Sequence, residues 1–188
     1  MWVYIKSTGI ALSRYTNGLA DIIICDPGGR RSEMKKWGKF VHEVATTVLY
    51  FVDAGCYDQV VAEDHSINRL AEELKLFTSL CNSHTQVNVV LFMHKMDKLE
   101  RKLESIPFDS SLIGCPNAFN GNPHSIEDVK AYLLDAFLTI ARKADRNVTV
   151  KFTSLQDKEE LGRLALSYSL PRSAPRRRPF SNLILPWV

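Results

Sequence analysis

Three runs of apolar, largely β-branched residues limit what this chain can fold into. They are Leu19 to Cys25, Thr47 to Val52 and Val87 to Met93. A strand with one face in water alternates apolar and polar side chains. Nearly continuous runs instead suit the central strands of a parallel sheet covered on both faces. Val148 to Phe152 reads as a fourth strand, and Ile10 to Thr16 as a weaker one leading through an Asn17-Gly18 hairpin turn into Leu19.

A sheet buried on both faces needs helices to cover it, and the intervening segments have that period. Ile67, Leu70, Ala71, Leu74, Phe77 and Cys81 recur at three- and four-residue spacings, as do Val129, Tyr132, Leu133, Ala136, Phe137 and Ile140. Ser125, with Asp128 three residues on, marks the start of the second helix. Strand–helix alternation of this kind predicts an α/β sheet with right-handed crossovers. Pro107 to Pro123 reads as a long loop. Glu159 to Ser169 could form about three helical turns before Pro171 and Pro175 stop them, and Arg172 to Val188 reads as an irregular tail.

Composition narrows the class further. A net charge of +3 is too mild to argue for nucleic acid, and no apolar run approaches the roughly 20 residues of a membrane span. Neither a signal peptide nor a myristoylation signal is visible, so membrane contact is expected to be peripheral at most. The four cysteines, Cys25, Cys56, Cys81 and Cys115, have no C-x-x-C spacing and read as reduced thiols.

Two strand ends carry candidate chemistry. Asp26-Pro27-Gly28-Gly29-Arg30 follows a buried strand, at the carboxyl edge where open α/β sheets bind ligands. Asp26 could hold Mg²⁺ through water, and the glycines let backbone N–H groups approach a phosphate; a plain turn explains the same five residues. His94-Lys95-Met96-Asp97 follows the third run. A lysine stem can lie on a planar base and a carboxylate can accept two N–H bonds from guanine, but a helix-capping aspartate is an equally simple reading. Thr153-Ser154, after the fourth strand, says little alone.

The text around these loops is more specific. Residues 26–37, DPGGRRSEMKKW, resemble D-V-G-G-Q-R-S-E-R-K-K-W of heterotrimeric G-protein alpha subunits. Residues 57–81, YDQVVAEDHSINRLAEELKLFTSLC, resemble the family's Y-D-Q-V-L-x-E-D-x-x-x-N-R-x-x-E-S-L-x-L-F-x-S-I-C. VVLFMHKMDKLERKL resembles I-I-L-F-L-N-K-x-D-L-x-x-x-K-L, and YIKSTGI at 4–10 resembles R-V-K-T-T-G-I. The 16 residues between Gly9 and Asp26 match the family's spacing, and the resemblance runs from residue 4 to about 165.

The resemblance implies an incomplete Ras-like P-loop GTPase fold: a mostly parallel sheet, helices on both faces, a partial GTPase domain over 1–169 and a Pro/Arg-rich tail over 170–188. It implies a GTP/GDP switch with Mg²⁺ in receptor-coupled signalling. Residues 4–10 would be switch I and 26 to about 44 switch II. Asp97 would select guanine, Lys95 would stack on it, and His94, Thr153 and Ser154 would complete the base loops. Asp26, Gly28 and Gly29 would face the phosphates, and Ser7 and Asp26 the metal. Glu33, Lys35, Lys36 and Trp37 would form the face gripped by the beta-gamma dimer, Trp37 either as an exposed anchor or packed inward. The expected location is cytoplasmic, peripheral at the plasma membrane.

The departures fall on the catalytic half. No G-x-x-x-x-G-K-[ST] occurs in the sequence, the helical insertion domain is missing, Tyr4 stands at the arginine-finger position and Arg30 at the catalytic glutamine. The finger alone is worth roughly 10³ or more in rate, and a guanidinium cannot accept a hydrogen bond from the attacking water. Hydrolysis is therefore expected to be impaired. Pro27 replaces valine in switch II, His94 the asparagine of N-K-x-D, and Thr153-Ser154-Leu155-Gln156 replaces T-C-A-T. The tail replaces the helix that enters the receptor, which argues against receptor coupling. The competing expectations are a non-hydrolysing module that contacts beta-gamma, or a truncated product without function. A sheet lacking its phosphate-loop strand would also have a hydrophobic gap at its centre.

Overall fold

The computed structural model describes residues 9–16, 21–28, 37, 41, 45–83, 87–115, 117–154 and 180–184. Among them, the main sheet has six strands: β1 (Ile10–Thr16), β2 (Asp21–Pro27), β3 (Thr47–Asp53), β6 (Asn88–His94), β7 (Val148–Phe152) and β8 (Phe180–Ile184), in the spatial order β1-β2-β8-β3-β6-β7. β1 runs antiparallel to β2; every other pairing is parallel. The carboxyl ends of β2, β3, β6, β7 and β8 therefore open at one edge. A small antiparallel pair, β4 (Val60–Val61) and β5 (Asp64–Asn68), stands apart.

All seven residues of β3 are buried, as are six of the seven in β6, as their unbroken apolar runs require. The main core packs the sheet against α1 (Arg69–Cys81) and α3 (Ile126–Lys143), with Phe77 and Phe137 in edge-to-face contact, centroids 5.2 Å apart. On the opposite face Ile22, Leu49, Phe51, Val90 and Phe92 form a second buried cluster, in which Phe51 and Phe92 stack at 4.6 Å. Two apolar faces on one sheet explain why the runs do not alternate.

The helix starts follow their sequence signals. Ser125 Oγ accepts the Asp128 N–H at 3.2 Å, and Asn68 Oδ1 accepts those of Leu70 and Ala71. The expected β1–β2 pairing is present, Thr16 opposite Asp21; the Asn17-Gly18 turn lies outside the described residues, as does 159–169. The long loop contains a short 3-10 turn over Ser110–Ile113, capped by Asp109.

Three elements differ from expectation. α2 (Met96–Leu103) follows His94-Lys95 directly, burying Leu99 and Leu103; eight residues are too short for a clear period. The β4–β5 pair is too polar to announce itself. Within the segment expected to be irregular, residues 180–184 form β8, seated between β2 and β3. A local reading misses it because β8 draws its stability from partners some 130 to 160 positions away. The apolar Leu183 to Leu185 run, set between prolines 179 and 186, was the available signal.

Candidate functional site

The carboxyl ends of β6 and β7 are laced together by backbone bonds. Thr153 N–H donates to Met93 O at 3.0 Å, and Met96 N–H donates to Thr153 O at 3.2 Å. Side chains add a third link: His94 Nδ1 lies 3.0 Å from Thr153 Oγ1, both residues buried. The His94 ring also meets the edge of Phe51, at 6.2 Å between centroids. Burial, then the neighbouring Lys95 charge, lowers the His94 pKa below its ordinary value, so the ring is neutral at physiological pH. The two loops expected to hold a base thus form one unit, and His94 ties it together.

Lys95 turns the chain between β6 and α2 in the left-handed conformation, at φ 61°. Its ammonium lies 2.8 Å from Asp53 Oδ2, at the end of β3, and Lys98 Nζ is 3.5 Å from the same oxygen. Burial alone would raise the Asp53 carboxyl. The Lys95 hydrogen bond and the charges of Lys95, Lys98 and Arg69 outweigh it and hold the group below its usual range. Asp53 Oδ1 in turn accepts the Gly55 N–H at 3.0 Å, starting a 3-10 turn over Ala54–Cys56. That turn leaves little room above Gly55, where a Cβ would stand 3.1 Å from Lys98 Cγ. No sequence signal singled out Asp53.

Asp97 is not the cap of α2. The N-cap position belongs to Lys95, and Asp97 sits in the first turn with Oδ2 3.1 Å from Arg101 Nη2. Its Oδ1 is buried, with no hydrogen-bond partner among the described residues. A buried carboxylate oxygen without a donor is costly, typically about 1–3 kcal/mol or more.

At β2, Asp26 is half-buried, and burial raises its carboxyl above the ordinary value. Gly28 N–H donates to Gly9 O at 2.7 Å, clipping the end of the 4–10 segment to the start of the 26–37 segment. Trp37 is half-buried, and its Nε1–H donates to Gly28 O at 3.3 Å. Trp37 is thus anchored to the turn after β2 while part of it stays exposed, between the two alternatives weighed for it. Ser154 is half-buried beside Thr153. Tyr4, Ser7, Gly29, Arg30, Glu33, Lys35 and Lys36 lie outside the described residues.

The Tyr57-Asp58-Gln59 motif serves the scaffold. Tyr57 Oη donates to Ile106 O at 2.6 Å, Asp58 pairs with Lys102 of α2, and Gln59 Oε1 accepts from Arg69 Nη1 at 2.7 Å. Asn68, which caps α1, also donates to Tyr57 O at 2.6 Å. The motif locks the start of α1 and the end of α2 to the turn after β3. Away from this edge, a cavity of about 480 Å³ lies between α1, the 110–113 turn and α3, without any base-loop residue in its lining.

Among the described residues no group of three or more His, Cys, Asp or Glu side chains could hold a metal. No helix among them is long and apolar enough to cross a membrane.

Comparison with known proteins agrees with this geometry. The family model described as G-protein alpha subunit matches residues 2–166. A guanine nucleotide-binding protein subunit alpha of Pyricularia oryzae is 31% identical over 161 residues, covering 84% of this chain and 43% of the relative; the alpha-1 subunit of Neurospora crassa shows the same figures. Subunit alpha-12 of Rattus norvegicus is 34% identical over 138 residues, 72% of this chain and 35% of the relative. The chain spans less than half the length of these relatives. Its parallel sheet, the loops at the sheet's carboxyl edge and the match over residues 2–166 make it a member of the G-protein alpha-subunit family.

Proposed function

We propose that this chain binds guanine nucleotide as an alpha-subunit-like component of receptor-coupled signalling, with hydrolysis impaired. The observation that carries the reading is the turn bearing Lys95 and the Asp97 carboxylate after β6, braced against the Thr153 turn by His94 and by two backbone bonds. Guanine offers two adjacent N–H donors to such an oxygen pair, and no other base presents both. Lys95 supplies a methylene surface whose far end Asp53 restrains. Asp26, Gly28 and Gly29 are the residues proposed to face phosphates, and Ser7 and Asp26 to face Mg²⁺. The raised Asp26 carboxyl is consistent with a group that gains from a nearby cation. The partial GTPase domain is proposed to run over residues 1–169 and to take in the strand at 180–184, acting in the cytoplasm or at its membrane face.

Titration calorimetry with GDP, and with a non-hydrolysable GTP analogue plus Mg²⁺, tests this reading. Heat is expected from the wild type and a loss of at least tenfold in affinity from Asp97→Ala. No heat at micromolar protein would sink it.

The exposed part of Trp37 supports a second reading, in which Lys35, Lys36 and Trp37 contact the G-protein beta-gamma dimer. A pull-down with beta-gamma should lose most of its yield on Trp37→Ala. Equal retention of both proteins counts against that contact.

A further inference from the structure

β2 and β3 are successive in sequence but are not neighbours in the sheet. Along its full length β2 pairs with β1 on one side, residues 10–16 against 21–27. β3 likewise pairs along its full length with β6, Thr47–Asp53 against Asn88–His94. Each strand therefore has one remaining edge, and the two edges face each other across the width of a single strand. Both belong to buried strands, with Ile22, Cys25, Val48 and Leu49 all below 4% exposed. Left open, such a slot would present two rows of unpaired N–H and C=O groups inside an apolar sheet.

The slot is filled by residues 180–184. Phe180 to Ile184 pair in parallel with Asp21 to Cys25, and Leu183 and Ile184 also pair with Thr47 and Val48. The segment suits the position: Phe, Leu and Ile favour strands, and the bounding prolines stand outside it, at 179 and 186. Pro186 has no N–H to give to a ladder. The slot's two sides are unequally engaged, five residues of β2 against two of β3.

We infer that the space between β2 and β3 is a strand-accepting site, and that its occupant is this chain's own 180–184 segment, which completes the sheet from within. The inference is independent of any nucleotide reading. It makes residues 180–184 the strand that closes the sheet between β2 and β3. Immediately after that strand the sequence reads Leu185-Pro186-Trp187, with no glycine, lysine or hydroxyl suited to a phosphate.

Hydrogen exchange on the full chain, with the mass in solution measured alongside, tests the inference. The amides of 180–184 are expected to exchange within about tenfold of those of Ile22 to Cys25, in a monomer. Exchange of 180–184 at unstructured-chain rates overturns the proposal. Protection found only in a dimer overturns the intramolecular assignment, because a second copy would then supply the strand. Leu183→Pro should lower the melting temperature by more than about 5 °C or leave the chain aggregated. An unchanged melting temperature also overturns it. If Leu183→Pro fails to fold, exchange in the unaltered chain decides.

Discussion

Lys95 Nζ and Asp53 Oδ2 lie 2.8 Å apart, joining the start of α2 to the end of β3. The Asp53 side chain is 5% exposed and that of Lys95 is 32% exposed, so the carboxylate depends on the pair more than the ammonium does. Lys98 and the Gly55 N–H complete its surroundings. Asp53→Ala removes a turn cap and frees two lysines that water can reach. The expected loss is about 1–2 kcal/mol, read by urea denaturation. Lys95→Met should cost more than Asp53→Ala, because it leaves a buried carboxylate to the more distant Lys98 ammonium and the Gly55 N–H. The reverse order would mean that the pair does not set the geometry of this edge.

His94 and Thr153 should behave as one unit. A double-mutant cycle with His94→Ala and Thr153→Val is expected to show a coupling of about 0.5–1.5 kcal/mol. Strict additivity would show that the 3.0 Å contact contributes nothing to the union of the two loops.

Glu73 gives the fold a pH dependence. Its carboxyl is fully buried against Tyr50, whose Oη donates to Glu73 Oε2 at 3.1 Å, and burial pushes its pKa up to about 8 despite that bond. The folded value stands above the ordinary value of 4.5, so near neutral pH the folded state holds a proton that the unfolded chain has released. The stabilising effect is complete below about pH 4.5 and is lost as pH rises to about 8, at up to about 1.4 kcal/mol per pH unit. Glu73→Gln should flatten the stability profile across this window and raise the melting temperature at about pH 8. A wild-type profile already flat between about pH 5 and 8 would contradict the assignment.

The α- and β-phosphates should matter little to a nucleotide bound here, since no G-x-x-x-x-G-K-[ST] loop occurs in the sequence to hold them. With Asp97 and Lys95 reading the base, and Leu185-Pro186-Trp187 after the central strand, guanosine and GDP are expected to bind within about threefold of one another, or about 0.7 kcal/mol. GDP binding about tenfold tighter or more would show a phosphate cradle in the folded chain.

GTP turnover should be slow. Tyr4 and Arg30 offer neither a guanidinium in the finger position nor an acceptor for the attacking water. Single-turnover hydrolysis by the wild type is expected to be no faster than the reaction in buffer. A rate that falls on Arg30→Ala would give Arg30 a catalytic part that its chemistry does not suggest.

The sequence by itself determined which strands are buried on both faces, because apolar runs such as Thr47 to Val52 leave no polar face for water. It determined the start of α3, since Ser125 and Asp128 are neighbours along the chain and their bond is local. It also identified the family, through text spread over residues 4 to about 165. Tertiary structure decided what depends on distant partners. Asp53 acquires its role from Lys95, 42 positions away, and His94 its role from Thr153, 59 positions away. β8 is the clearest case. Its five residues, with Ser and Asn among them, are too short a run to mark a strand, and only the facing edges of β2 and β3, each needing hydrogen-bond partners, place it at the centre of the sheet.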